Sequence, residues 1–503
     1  MIEPILKYIT EPLLTFGNKQ KAIDPRDGLM LFGPFDHNKI KGQRNLGIIG
    51  PKNLRDKAIK YLRKLHSPII NSDRVIARPN FPGLETIFDI YVNFENIPQL
   101  DVKEESIEEY LRYTDSYQRV HKLVNLYVDK LKLYADKEEM PVDLWLVIIP
   151  ESIYKYGRPT SKIPKDENNI NIGLKPKERN SQQLSLFFQK DEDELKEAYQ
   201  FEVNFHNQLK AKILSSKIVT QIIRESKIAY EDFFTPQQIE NEKKFDTAKA
   251  WNIATALYYK LGGLPWKLGD VRKGVCYLGL VYKKTELNSS NKNACCAAQM
   301  FLDSGDGMIF RGNVGPWWNP KKREFHLSKQ DAFEIISQSL DSYFDRFDCY
   351  PNEIFIHAKT YFDDSEWEGF EEAANNKCKI IGVRIRENNT FKLYRQYQYC
   401  VPRGTMLQYD ETKAFLWTKG FVPRFQTQLG LETPNPIEID IVRGQSDIDT
   451  VCKDILSLTK LNYNACIYGD GVPVTLKFAD SIGEILTAGK NIKTGILPFK
   501  HYI

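Results

Sequence analysis

The chain predicts an α/β architecture in which a Rossmann-like layered domain is followed by an RNase H-like domain, with an extended lead-in before both. Three observations predict it. At 503 residues the chain exceeds one ordinary core, so two or three domains are expected. The run Leu144–Ile149 is continuously apolar and stops at Pro150, as a central parallel strand covered on both faces should. Beyond a glycine- and proline-punctuated link at 263–274, the texture changes to short strands in succession, then alternating helices and strands.

Taken in order, residues 1–40 form the lead-in, with turn chemistry at Asp24–Gly28 and Gly33-Pro34 between short apolar runs. The layered domain spans 41–266. NLGIIG (Asn45–Gly50) reads as a buried strand with a glycine exit. Asn53 then caps a helix with Leu54, Ala58, Tyr61, Leu62 and Leu65 on one face. Its other face is basic (Arg55, Lys57, Lys60, Arg63, Lys64), which describes either a solvated surface or a phosphate-tracking one. Residues 72–105 read as irregular, 107–137 as helical, and the polar stretch 157–192 as a surface excursion. A helix at Thr247–Leu261 closes the domain.

The second domain spans 267–503. VCYLGLVYKK, CCAAQMFLD and MIFRGNVG read as a three-strand meander. The helix Lys329–Phe347 follows, then EIFIHAKT, a second helix, CKIIGVRI, more β structure and the helix Asp447–Lys460. Three antiparallel strands, a helix and a strand able to join in parallel is the RNase H-like order.

Composition narrows the function. Net charge is only +4, so any nucleic-acid contact needs its positive charge gathered in a groove. The N-terminal sequence lacks a signal-peptide pattern, and the longest apolar run is far too short to span a membrane. Eight cysteines, none before residue 276 and none in a CxxC, suggest neither a zinc site nor a disulfide framework. A cytoplasmic protein with reduced thiols is expected. No GxGxxG supports a dinucleotide site.

One stretch carries candidate chemistry. In FHNQLKAKILSSKIVTQ (Phe205–Gln221), His206 and Lys210 stand four apart on one helix flank, and a β-branched strand then carries Gln221. Lys260 precedes a Gly-Gly stop. Two ammonium groups, an imidazole and a carboxamide are suitable donors for a phosphate monoester. The same spacing also describes a solvated helix flank beside an ordinary strand.

Wider motifs favour the first reading. HxxxK…TQ with KLGGLPW (Lys260–Trp266), after LVIIPESIYKYGRP (Leu146–Pro159) and before YLGLVY (Tyr277–Tyr282), resembles the MID and PIWI domains of a short prokaryotic Argonaute. LLTFG…DPRDGLMLFGPF resembles the linker before MID, and Leu458–Gly489 resembles the C-terminal PIWI stretch. The likeness is greatest to the SPARTA type, which works beside a TIR–APAZ protein.

The resemblance implies that His206, Lys210, Gln221 and Lys260 surround the 5′-phosphate of a guide RNA. It also implies that the carboxylate of Ile503 enters that pocket through a divalent cation, Mg2+. Relatives commonly carry an aromatic residue at the place of His206 and a polar one at the place of Ala256, so the pocket is a variant. Target-cutting members hold two metals on a carboxylate cluster. Here Val281 stands at the first such position, Lys359 at the next and Asp480 near the last. The implied protein senses a single-stranded DNA target without cutting it, and a TIR–APAZ partner depletes NAD. Tyr154, Tyr156, Trp317 and Trp318 are candidates for base stacking, and residues 1–40 and 380–440 for the partner surface. The rival is a guide-directed nuclease using Asp480 with Asp303 or Asp306.

Overall fold

The computed structural model describes residues 3–503 apart from 72, 74, 138–139, 176–178, 180–194, 271, 285–293, 303–306, 315–316, 320–323, 397 and 490–496. For the strands at 294–302, 307–314 and 317–319 it describes the backbone only.

The first forty residues are not extended throughout. A strand, β1 (Ile5–Tyr8), is followed by a helix, α1 (Pro25–Phe32). Asp24 caps α1 by accepting from the Arg26 N–H, and Pro25 fills the first helical position. DPRDG therefore starts a helix, because Asp at the cap and Pro at the next position are also helix-entry chemistry.

The layered unit then runs β2 (Leu46–Gly50), α2 (Lys52–His66), β3 (Gln99–Asp101), α3 (Ser116–Lys137), β4 (Leu144–Ile149), α4 (Glu151–Tyr156), α5 (Phe205–Ile213), β5 (Thr220–Arg224) and α6 (Asp246–Lys260). Its four strands lie in the order β3-β2-β4-β5, all parallel. All six residues of β4 are buried, as its uninterrupted apolar run requires. Strand order reverses between β2 and β4, and sheets of this kind bind ligands outside the carboxyl ends of their strands.

Three local expectations change. The α2 helix starts at Lys52 with Pro51 as its cap residue, so Asn53 lies inside it. Its basic face is largely engaged: Arg55 pairs with Asp101, Lys57 with Glu225 and Asp232, and Lys64 with Asp246. The helical stretch 107–137 is broken between Glu104–Leu111 and α3. There the buried Arg119 gathers the carbonyls of Tyr113, Tyr156 and Ser161, which an unbroken helix would not present together.

The second unit comprises β6 (Val275–Lys284), β7 (Ala294–Leu302), β8 (Gly307–Val314), α7 (Lys329–Phe347), β9 (Glu353–Ala358), α8 (Asp364–Ala374), β10 (Lys379–Glu387), β11 (Thr405–Gln408), β12 (Lys413–Leu416), β13 (Ile437–Arg443), α9 (Ile448–Leu458) and α10 (Val474–Leu486). Nine strands make one sheet, β1-β11-β12-β13-β10-β9-β6-β7-β8. The β6–β8 meander is antiparallel, and β9 and β10 add in parallel. The segment before residue 41 thus contributes an edge strand to this sheet, through the antiparallel β1–β11 pair.

Helix α10 crosses the face of β6 and β9. Its approach needs Gly279, where a Cβ would lie 2.1 Å from the Thr475 carbonyl oxygen. The His357 ring on β9 meets the Thr475 hydroxyl at 2.9 Å. Burial pushes that imidazole's pKa down to about 3, so it is neutral. Among the described residues no helix is long and apolar enough to cross a membrane. Cys452 and Cys466 are buried thiols, whereas Cys349 is exposed.

Candidate nucleic-acid interface

The lysines singled out by spacing meet at one point. Lys210 lies on α5, whose cap Asn204 accepts from the Asn207 N–H. A short 3-10 turn at Leu214–Ser216 then carries the chain into β5. Lys260 ends α6, and Gly262 at φ 102° makes the left-handed exit that a side chain would resist. Both lysines are buried, at 0% and 1% exposure. Their ammonium groups both donate to the Thr220 carbonyl, at 2.8 and 2.9 Å, and both donate to the Ile503 main-chain oxygen, at 2.6 Å each. The tail reaches them because Phe499 stacks on Phe478 of α10 at 3.6 Å and Tyr502 is buried.

Two ammonium groups here share two main-chain oxygens. Burial lowers the Lys210 pKa to about 7. Burial and the Lys210 charge hold Lys260 well below the ordinary lysine range. Both groups would regain full charge beside an anion. Mg2+ fits less well: the Ile503 oxygen is already engaged by two cations. Among the described residues no group of three or more His, Cys, Asp or Glu is arranged to hold a metal.

The other two predicted donors stand apart from this point. Gln221 follows Thr220 on β5, and its amide donates to the Ile222 carbonyl at 3.1 Å. His206, one turn before Lys210, is exposed and lines a neighbouring cavity of about 500 Å3. The surrounding protein and the Lys210 and Lys260 charges push its imidazole below the usual histidine range, and Nδ1 lies 3.0 Å from Asn207 Oδ1.

That cavity opens at the carboxyl ends of β4 and β5, where Ile149 and Arg224 line it. Its wall contains a stack that residue spacing did not reveal. Arg158 and Arg224 lie over the Tyr154 ring, with guanidinium carbons 3.5 and 3.4 Å from its centroid. Arg224 is fixed by Glu151 at 2.8 Å. Because guanidinium groups cover the Tyr154 ring, the surface offered to a base is Arg158, which is exposed. Tyr156 is half-buried, and the Trp317 and Trp318 side chains lie outside the described residues. Glu484 of α10 also reaches the cavity wall.

Glu484 leads to the second site. Val281 is buried in β6, Lys359 follows β9, and Asp480 faces them from α10. Lys283 contacts Asp480 at 2.7 Å and Glu484 at 3.1 Å. Lys359 lies 3.6 Å from Asp480. Lys283 is the residue sequence reasoning missed; its signal was the alternation that places it on the same strand face as Val281. The other acids near this site have partners. Asp363 caps α8, Asp364 pairs with Arg443, and Glu353 pairs with Arg272. Asp303 and Asp306 lie outside the described residues.

No family model matches the chain. It is 21% identical over 242 residues to the protein argonaute of Aquifex aeolicus, a match covering 47% of this chain and 31% of that protein. Among solved structures it is similar to Clostridium butyricum Argonaute bound to a guide DNA and a 19-mer target DNA, with TM-score 0.63 and 15% identity over 97% of this chain. A structure of Aquifex aeolicus Argonaute matches with TM-score 0.56 and 14% identity over the whole chain. The chain spans 53% and 57% of those two structures, about half their length. The fold is that of the MID–PIWI part of such structures, and the sequence similarity found is likewise to an Argonaute.

Proposed function

We propose that this chain holds a short guide RNA by its 5′-phosphate and presents it for pairing with a single-stranded DNA target, without cutting either strand. The observation that carries the reading is the buried pair Lys210 and Lys260, two ammonium groups that share the Thr220 carbonyl and the Ile503 main-chain oxygen. Burying two cations without a full counter-charge is costly, and a phosphate monoester offsets that cost. His206 and Gln221 stand one turn and one residue from those contacts and supply direction. Arg158 offers a stacking surface for the adjoining base. Sequence is then read by base pairing, and the protein supplies pre-organisation.

The absence of cutting rests on Lys359 and Val281. Two-metal cleavage needs carboxylates that attract cations, and an ammonium group at that place repels them. Asp480, the one carboxylate among the three positions named by the resemblance, is already engaged by Lys283. The output then belongs to a partner. In this reading a TIR–APAZ subunit binds the chain, and target recognition drives assemblies that degrade NAD. A usefully tight switch needs roughly 5 kcal/mol of preference for the target-bound state.

The test is extraction of nucleic acid from the purified protein, with 5′-end labelling before and after phosphatase. Short RNA that labels only after phosphatase supports the reading; random fragments with 5′-hydroxyls contradict it. Co-expression with a TIR–APAZ protein, followed by NAD measurement on target addition, tests the output. In the nuclease rival, Asp480→Ala abolishes guide-dependent cutting; in this reading no such cutting exists to lose.

A further inference from the structure

The lysines at the second site differ in how they are engaged. Lys283 is held by two carboxylates, with its side chain 23% exposed. Lys359 is 52% exposed, and among the described residues its single ion pair is to the Oδ2 atom of Asp480 at 3.6 Å, too long for a hydrogen bond. Its three N–H groups are therefore available to an acceptor from solvent. The side chain stands beside Asp480 at the carboxyl end of β9, on the face shared by His357 and α10.

In two-metal chemistry, which the family resemblance would put at this place, cations clamp the phosphodiester of the strand to be cut. An ammonium group offers the same attraction to a phosphodiester oxygen. It offers no Lewis acidity and no metal-bound water, so it attracts the strand without activating a nucleophile. We propose that Lys359 is a phosphodiester-binding residue for the paired target strand, aimed by the Asp480–Lys283 ion pair. This inference rests on the guide-and-target reading above and deepens it. Asp480 thereby becomes a positioning residue: tethered by Lys283, it keeps the Lys359 head group at the groove instead of letting it sweep through solvent.

The test uses the full chain loaded with a 5′-phosphorylated RNA. Binding of a complementary DNA oligonucleotide is followed across a series of salt concentrations. Removing one phosphate contact lowers the slope of log affinity against log salt by about one. Lys359→Ala is expected to show that drop, and Lys359→Arg to restore the slope. Guide loading, measured in parallel on each protein, reports on the separate 5′ site. Normal loading with an unchanged slope in Lys359→Ala overturns this inference alone. Failure of the wild-type chain to load any 5′-phosphorylated guide overturns the underlying reading, and this inference with it. Lys359 is half exposed and packs in no core, so loss of folding is not expected; thermal unfolding of each variant checks that directly.

Discussion

Two sites in this molecule place lysines where phosphate chemistry is expected, and they are built in opposite ways. At the first, Lys210 and Lys260 are fully buried and meet only main-chain oxygens. At the second, Lys283 and Lys359 are partly exposed and share the carboxylate of Asp480, and Lys283 also pairs with Glu484. The first is under-neutralised and gains from an incoming anion. The second is internally neutralised by its own carboxylates. Burial, more than residue type, sets what each lysine pair does.

The largest effect expected is at the first pair. Lys210→Ala with Lys260→Ala removes two charge-assisted donors, each worth roughly 1.5–3 kcal/mol. Loading of 5′-phosphorylated RNA should fall at least about 100-fold, read by direct binding. The unliganded protein should respond differently. Lys260→Met removes a buried charge and keeps the apolar stem, so chemical denaturation should find it as stable as the parent or more so. A large loss of stability would mean that the pair is structural.

The next effect is on pH. The Lys210 pKa in the folded chain, about 7, lies below its ordinary value near 10.5. The unfolded chain therefore binds more protons between those values, and stability of the unliganded protein should rise as pH increases through that window. Phosphate binding favours the charged form, so affinity should fall as pH rises above 7, with proton uptake on binding. Calorimetry in buffers of different ionisation enthalpy measures that uptake. Affinity that rises with pH would contradict the assignment.

A smaller effect comes from chelation. Since the Ile503 oxygen is engaged by two ammonium groups, excess chelator should change 5′-phosphate affinity by no more than about twofold, a few tenths of a kcal/mol. A large loss would restore the cation that the family resemblance implied. The smallest effect belongs to Asp480→Asn, which removes the charge that positions Lys359. The salt dependence of target binding should flatten slightly, with no change in guide loading.

Much of this architecture was legible in local pattern. The buried run Leu144–Ile149, the helix Lys329–Phe347 and the order of strands after residue 275 all follow from periodicity within short windows. Lys210 and Lys260 were legible as candidate donors, because four-residue spacing and a Gly-Gly helix stop are local signals. Contacts between distant segments were not. The β1 strand joins a sheet some four hundred residues away in the chain, and the helix at Pro25–Phe32 hides in a sequence that also fits a turn. The stacking of Arg158 and Arg224 on Tyr154 joins α4 and the residue just beyond it to the end of β5, across the long polar excursion. Lys283 acquires meaning only once α10 brings Asp480 and Glu484 against β6.

The central claim is tested most directly by comparing two RNAs of identical sequence, one with a 5′-phosphate and one with a 5′-hydroxyl. Their affinities for the nucleic-acid-free protein are measured at one fixed salt concentration. The buried lysine pair predicts a preference for the phosphate of roughly 100-fold or more, lost in the Lys210→Ala, Lys260→Ala double variant. Equal affinity for the two RNAs would contradict it, and would leave Lys210 and Lys260 as anchors for the tail and nothing more.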